Sequence, residues 1–278
     1  MTGNKYGICE WSLPAAGPFA LRLAAETGFD GIQLGDLGGG PLNFPLNHPR
    51  MQQGYLEEAE KSGVRLHSLH LHTLVREGTM RYPLASPEGE RAARSIQKGI
   101  EACKAMRIDR LMLSSFFASE IRHAYDFNNF ADMLSYACDL GAENGVRIVY
   151  EGILPIERLL RLLDIVGDRL TVLYDTLNPI RFGSGDPQEE IRRIGVDRID
   201  HIHVKDAPHE MVGCCLLGTG EGRFAQTAKL LNDLGYAGWY ITENYYAQPP
   251  MGENADPYEL ARMDLQTMRA TFDRGKGD

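Results

Sequence analysis

The chain lacks the features that mark several classes of protein. No apolar run approaches the roughly 18 residues that a membrane span needs, and the first residues show no basic region followed by an apolar core and a cleavage site. Lys and Arg number only 29 against 38 Asp and Glu, which gives a formal net charge of −9, and no basic cluster is evident. We therefore expect a cytoplasmic protein with no membrane partner and no nucleic-acid partner.

Cysteine motifs are also missing. The 5 cysteines are scattered except for the adjacent pair Cys214-Cys215, and no CxxC spacing of a zinc or redox site occurs. We expect reduced cysteines with structural roles. What the chain does have is 278 residues with 43% hydrophobic content, enough to bury a large core.

Eight short apolar segments alternate with eight segments of helical spacing. The predicted strands are 6–9, 29–34, 64–72, 108–114, 146–151, 170–175, 199–205 and 238–243. The predicted helices are 19–27, 50–61, 86–106, 126–144, 155–166, 187–194, 224–234 and 257–274. This alternation implies parallel strands joined by crossover helices. Eight such units predict an α/β fold, a closed (β/α)8 TIM barrel that forms one domain over residues 1–278.

Four consecutive predicted strands have a potential metal ligand at or near the end. In a parallel barrel these ends open onto the active-site face, so the four side chains should converge. Three carboxylates at one place repel each other unless a cation lies between them. Three oxygen ligands and one imidazole suit Mn²⁺, Mg²⁺, Co²⁺ or Zn²⁺, which predicts one divalent metal ion per subunit, although any single acid alone could simply cap the following helix. The four are Glu151, Asp175, His203 and Glu243.

Motifs over most of the chain resemble the xylose isomerase-like barrels, a family of sugar and sugar-phosphate isomerases and epimerases that also includes AP endonucleases. The resemblance is carried by residues 28–32, 151–152, 174–178, 201–206, 217–222 and 235–243. It implies that the four residues at the strand ends are the metal ligands, with His203 rather than His201 as the histidine ligand. Within the family the chain most resembles the 3-epimerases of ketoses and ketose phosphates.

This resemblance implies a reaction. The metal would chelate a ketose (phosphate) through its carbonyl and a neighbouring hydroxyl, acidify the C–H between them and stabilise the enediolate. Glu151 and Glu243 would be the catalytic residues, one removing the proton and the other returning it from the opposite face. An aldose–ketose or hydroxypyruvate-type isomerase and a metal-dependent polyol or keto-acid dehydratase remain alternatives, as do an AP endonuclease-type nuclease and a non-catalytic sugar-binding barrel.

Several further residues are candidate substrate contacts. Glu157 matches a position that contacts substrate in ketose 3-epimerases, although an acid in the first turn of a helix is an equal alternative. Asn178 stands where some free-sugar epimerases have histidine, which weakens the case for a free ketohexose. Lys205 could pair with a carboxylate or a phosphate near the mouth of the barrel. The complete set is Trp11, His72, Glu157, Asn178, Lys205 and His209.

A glycine-rich segment follows the seventh predicted strand. The glycine loop, residues 218–222, could offer backbone N–H groups to an anion, although this spacing is common in turns. The expected partner is a small sugar or sugar phosphate, and assembly as a homo-oligomer is left open.

Overall fold

A computed structural model describes residues 3–208 and 210–273. Eight strands form a closed barrel in the order β1 to β8. The pairs β1–β2, β3–β4, β4–β5, β5–β6, β7–β8 and β8–β1 are parallel. The predicted TIM barrel is therefore confirmed. The strands are β1 Lys5–Cys9, β2 Gly31–Gly35, β3 Arg65–His70, β4 Arg110–Ser115, β5 Arg147–Gly152, β6 Leu170–Asp175, β7 Ile199–Val204 and β8 Trp239–Thr242.

Ten α-helices occur in the described residues, two more than the sequence predicts. They are α1 Phe19–Thr27, α2 Pro49–Ser62, α3 His72–Glu77, α4 Pro87–Ala105, α5 Ala124–Asn144, α6 Ile156–Val166, α7 Asn178–Phe182, α8 Pro187–Ile194, α9 Phe224–Asp233 and α10 Pro257–Phe272. The additional helices, α3 and α7, are too short to show a helical repeat in the sequence. Because α3 begins at His72, strand β3 ends earlier than predicted, at His70.

The main helix boundaries follow from local chemistry. Ser86 caps α4 by accepting a hydrogen bond from the Gly89 N–H at 3.1 Å, and Pro87 occupies the first helical position. Gly28 ends α1 at φ 95°, a backbone conformation that favours glycine. These positions match the predicted helix starts and stops.

Contacts among the described residues group them into two compact units. The first comprises the described residues of 1–33, 58–65 and 173–278, and the second comprises residues 34–57 and 66–172. In the first unit, the ring of Tyr240 stacks on Phe272 with centroids 3.7 Å apart. In the second, Phe130 meets Tyr150 edge to face at 5.8 Å. The single-domain boundary at 1–278 stays a prediction. Among the described residues, no helix combines the length and apolar character needed to cross a membrane.

Candidate active site

The four side chains predicted as metal ligands come together. Glu151 lies in β5, Asp175 ends β6, His203 lies in β7 and Glu243 directly follows β8. One ligand atom from each lies within 4.8 Å of the others, and all four residues are buried. The cluster arises because the side chains at the carboxyl ends of successive strands share one end of the barrel.

Lys205 inserts its ammonium group among these carboxylates. Its Nζ lies 2.5 Å from Glu243 Oε2 and 3.0 Å from Asp175 Oδ2. Burial would raise the pKa of Glu243, but the charge of Lys205 and the electrostatic and hydrogen-bonding interactions with Lys205 and His203 outweigh it and hold that pKa well below its usual range. Of the two partners that the sequence allowed for Lys205, the structure shows the carboxylate.

Trp11 also contacts Glu243. The half-buried indole donates a hydrogen bond from Nε1 to Glu243 Oε1 at 3.0 Å. Trp11, a candidate substrate contact, therefore binds one of the four proposed metal ligands directly. Both oxygens of Glu243 have a donor, and this fixes the orientation of the carboxylate.

Asp175 is oriented by the start of helix α7. Its Oδ1 accepts hydrogen bonds from the N–H groups of Leu177 and Asn178, each at 2.8 Å. With Oδ1 held in this way, Oδ2 is the oxygen that faces Lys205. Asn178, a candidate substrate contact, is buried beside this aspartate as the first residue of α7.

His203 has a partner that sequence reasoning missed. Its Nε2 lies 2.5 Å from Oε1 of Gln33, a fully buried residue of β2. Nδ1, on the other side of the ring, lies 3.6 Å from Glu243 Oε2. The only sequence signal for Gln33 is a lone amide within an otherwise apolar strand, and this does not reveal what the amide binds.

The chemistry of the donor set fits a divalent cation. Three buried carboxylates in so small a volume repel one another, and the single ammonium of Lys205 balances part of their charge. Carboxylate oxygens with one imidazole are ligands that Mn²⁺, Mg²⁺, Co²⁺ and Zn²⁺ accept. Glu151, Asp175, His203 and Glu243 are the residues that could hold the ion.

The glycine loop binds an anion, but that anion is the protein's own Asp206. Its carboxylate accepts backbone N–H hydrogen bonds of 2.9 to 3.0 Å from Ala207, Gly218, Gly220 and Gly222. The loop packs so closely that a Cβ at Gly220 would lie 2.3 Å from Asp206 Oδ1. The expected offer of these N–H groups to an external anion is therefore wrong.

Two of the other candidate substrate contacts lie at the starts of helices. His72 opens α3, and its ring meets that of His70 edge to face with centroids 4.1 Å apart. Glu157 is exposed in the first turn of α6, the position that its alternative interpretation predicted. His209 lies outside the described residues. Substrate contacts by all three stay predictions.

The sequence model of the xylose isomerase-like TIM barrel family matches residues 21–270. The chain belongs to this family. The match confirms the resemblance to this family that the sequence motifs predicted, and it covers most of the chain.

Two relatives have assigned activities. The chain is 31% identical over 229 residues to a 2-epi-5-epi-valiolone 7-phosphate 2-epimerase of Actinoplanes sp., with 82% of each protein covered. It is 28% identical over 163 residues to an inosose dehydratase of Geobacillus thermodenitrificans, covering 50% of this chain and 53% of the relative.

Solved structures agree in fold. The D-psicose 3-epimerase of Clostridium cellulolyticum H10, determined with D-tagatose, gives a TM-score of 0.78 at 15% identity and covers 96% of this chain and 99% of its own. The D-allulose 3-epimerase of Methylomonas sp., determined with D-allulose, gives 0.76 at 18% identity and covers 98% of both. Family and relatives together make this xylose isomerase-like barrel an enzyme of the isomerase class.

Proposed function

We propose that this chain is a divalent-metal-dependent epimerase of a sugar or sugar phosphate, and specifically a 3-epimerase of a ketose or ketose phosphate. The observation that carries the proposal is the placement of two glutamates, Glu151 and Glu243, in one buried cluster with Asp175 and His203. Epimerisation next to a carbonyl needs one group to remove a proton and another to return it from the opposite face.

In this proposal the two glutamates move the proton. Glu151 and Glu243 exchange roles as acid and base, depending on which epimer is bound. Trp11 and Lys205 hold Glu243 in place through its two oxygens. A divalent ion held by the cluster supplies Lewis acidity at the substrate's oxygens when it is bound.

The relatives support a small polyhydroxy ketone as substrate. The relative at 31% identity carries the name of a phosphate epimerase, which favours a phosphorylated substrate. The solved structures of similar fold are named as 3-epimerases of free ketoses. We therefore place ketose phosphates first, followed by free ketoses and cyclic keto-polyol phosphates.

One experiment tests reaction and substrate together. The protein is loaded with Mn²⁺ or Co²⁺ and incubated in D₂O with a panel of these three substrate classes, and the products are followed by NMR. We expect deuterium at the carbon beside the carbonyl, together with the inverted epimer. Deuterium at the former carbonyl carbon, with an aldose as product, would instead identify an aldose–ketose isomerase.

Two substitutions test the roles of the glutamates. Glu151→Gln and Glu243→Gln should each reduce the deuterium exchange by at least about a thousandfold, the usual scale for loss of a base together with a metal ligand. The matched control is Glu60→Gln, an exposed glutamate on α2, which should behave as wild type. Near-normal exchange in either active-site variant would remove that glutamate from the mechanism.

A dehydratase is the second candidate, because the Geobacillus relative is named inosose dehydratase. Proton removal beside a carbonyl also begins loss of water from a cyclic keto-polyol. The same NMR experiment separates the two activities, since dehydration removes a hydroxyl-bearing carbon signal whereas epimerisation only inverts one.

A further inference from the structure

Gln33 determines which nitrogen of His203 carries a proton. The amide oxygen Oε1 can only accept a hydrogen bond, and it lies 2.5 Å from His203 Nε2. Nε2 is therefore the protonated nitrogen. In a neutral imidazole the other nitrogen, Nδ1, then holds the lone pair. Nδ1 lies 3.6 Å from Glu243 Oε2, on the side of the proposed metal ligands.

Cys9 fixes the orientation of that amide. Its thiol donates to the same Gln33 Oε1 at 3.6 Å, and its Sγ also lies 3.6 Å from His203 Nε2. Cys9 and Gln33 are register partners in the pairing of β1 with β2. The thiol proton needs an acceptor, which the amide oxygen supplies, whereas an amide nitrogen at that position would meet the thiol with a second donor.

Two possible donor sets overlap at this point. His203 and Glu243 belong to the oxygen-rich group with Glu151 and Asp175, and they also form a group with Cys9 whose ligand atoms lie within 4.8 Å of one another. Oxygen ligands suit Mn²⁺ and Mg²⁺, whereas a thiolate with imidazole favours Zn²⁺. The orientation and protonation of His203 decide which group is complete.

We propose that Gln33 is the positioning residue that selects the oxygen-rich set. It keeps the proton on Nε2, so that Nδ1 is offered to the carboxylates, and it holds the Cys9 thiol in a hydrogen bond on the far side of the ring. This inference rests on the metal site of the proposed function, although not on the reaction catalysed there. It makes Gln33 a determinant of metal selectivity.

The test compares metal binding in four variants, each checked for folding by circular dichroism. Gln33→Leu removes the acceptor, Gln33→Glu retains an acceptor oxygen, Cys9→Ser removes the thiol, and the double variant Gln33→Leu/Cys9→Ser removes both. Mn²⁺ affinity is measured by electron paramagnetic resonance, and Co²⁺ loading is followed by near-ultraviolet absorption, where a cobalt–thiolate bond gives a charge-transfer band.

We expect Gln33→Leu to lose about 10- to 100-fold in Mn²⁺ affinity, the usual effect of removing a partner of a ligating histidine. With Co²⁺ it should gain the thiolate band, as the thiol releases its proton to the buffer, and the double variant should lack that band. Wild type, Cys9→Ser and Gln33→Glu should bind Mn²⁺ within a few-fold of one another without the band. Unchanged Mn²⁺ affinity in Gln33→Leu, or a thiolate band in wild type, would overturn the proposal.

A measurement on the metal-free wild type keeps the proposal testable if Gln33→Leu does not fold. Long-range ¹H–¹⁵N NMR, with His203 assigned by comparison with His203→Asn, should show the proton on Nε2. A proton on Nδ1 contradicts the role of Gln33. A wild type that binds no divalent ion at all would overturn both the proposed function and this role of Gln33. Binding of Mn²⁺ with the expected dependence on Gln33, but without turnover of any substrate, would remove the proposed reaction alone.

Discussion

Asp175 and Asp206 are two buried aspartates at the ends of neighbouring strands, yet they have opposite surroundings. Asp175 is the last residue of β6, and Asp206 lies two residues after β7. Asp206 accepts four backbone N–H groups, spread over both of its oxygens. Asp175 accepts two, both on Oδ1, and its Oδ2 faces Lys205 within the carboxylate cluster. Both residues are buried, with exposed fractions of 4% for Asp175 and 0% for Asp206. The difference between Asp206, a structural carboxylate, and Asp175, a candidate ligand, is the number of backbone N–H groups that each accepts. Only Asp175 has an oxygen, Oδ2, to which no backbone N–H of the described residues donates.

The largest expected effect comes from substituting Asp175, the candidate metal ligand of the two aspartates. Asp175→Asn removes a charge from the cluster while keeping an oxygen for Leu177 and Asn178. We expect loss of measurable Mn²⁺ binding and at least about a thousandfold less substrate deuterium exchange, equivalent to about 4 kcal/mol. The free energy of unfolding of the metal-free protein, from urea titration, should change by less than about 1 kcal/mol. Tight Mn²⁺ binding by this variant would show that Asp175 is not a ligand.

Substitution of Asp206, the structural carboxylate, should instead lower the stability of the fold. Asp206→Ala leaves the N–H groups of the glycine loop without their acceptor, so the free energy of unfolding should fall by about 3 kcal/mol or more. Asp206→Asn is the matched control, because it keeps one acceptor oxygen, and it should lose about half as much. Urea unfolding of both variants measures the difference. An unfolding free energy within about 0.5 kcal/mol of wild type for Asp206→Ala would contradict a structural role.

A third buried carboxylate, Asp264, extends the comparison because it should make the free energy of unfolding depend on pH. It accepts hydrogen bonds from Leu217 N, Asn244 Nδ2 and Tyr246 OH, but burial raises its pKa to about 6. A raised pKa means that folding favours the protonated form. Its contribution to stability is therefore complete below about pH 4, the usual unfolded-state pKa, and is lost as pH rises through 6.

Asp264→Asn should remove this dependence. Between pH 4 and pH 7 the unfolding free energy of wild type should fall relative to that of the variant by about 2 to 3 kcal/mol. Urea titrations of both proteins at four or more pH values measure the difference, in which the contributions of other titrating groups cancel. Parallel profiles would show that Asp264 keeps an ordinary pKa in the folded protein.

The smallest expected effect concerns a side-chain donor in the cluster. Trp11→Phe removes the hydrogen bond to Glu243 Oε1 but keeps an aromatic ring. We expect deuterium exchange to fall about tenfold, or about 1.4 kcal/mol, with Mn²⁺ affinity reduced no more than a few-fold. A variant with the wild-type rate would show that Lys205 alone is enough to orient Glu243.

The fold and the central cluster were accessible from sequence because both depend on short repeating patterns. Alternation of strands and helices predicts the barrel, and a polar residue at the end of each of four successive strands marks Glu151, Asp175, His203 and Glu243. These patterns need no knowledge of which distant residue meets which. Their convergence in space then follows from the geometry of parallel strands.

The missing parts depend on pairings between distant residues. The glycine loop shows its N–H donors in the sequence, but not that Asp206 already occupies them. Gln33 lies in β2 and His203 lies in β7, far apart in the sequence. No local sequence pattern therefore connects the two. For Lys205, the sequence showed a cation near the mouth of the barrel, whereas its reach back to Asp175 and Glu243 depends on the side-chain conformation.

The way Asp206 holds the glycine loop has a consequence for protein engineering. Its hydrogen bonds fix the backbone at Gly218, Gly220 and Gly222, while the side chains of Thr219 and Glu221 between them are exposed. Randomising those two positions would therefore vary the outer surface of the loop over an unchanged main chain. A library restricted to them should retain a high proportion of folded members, whereas one that includes the glycines should not.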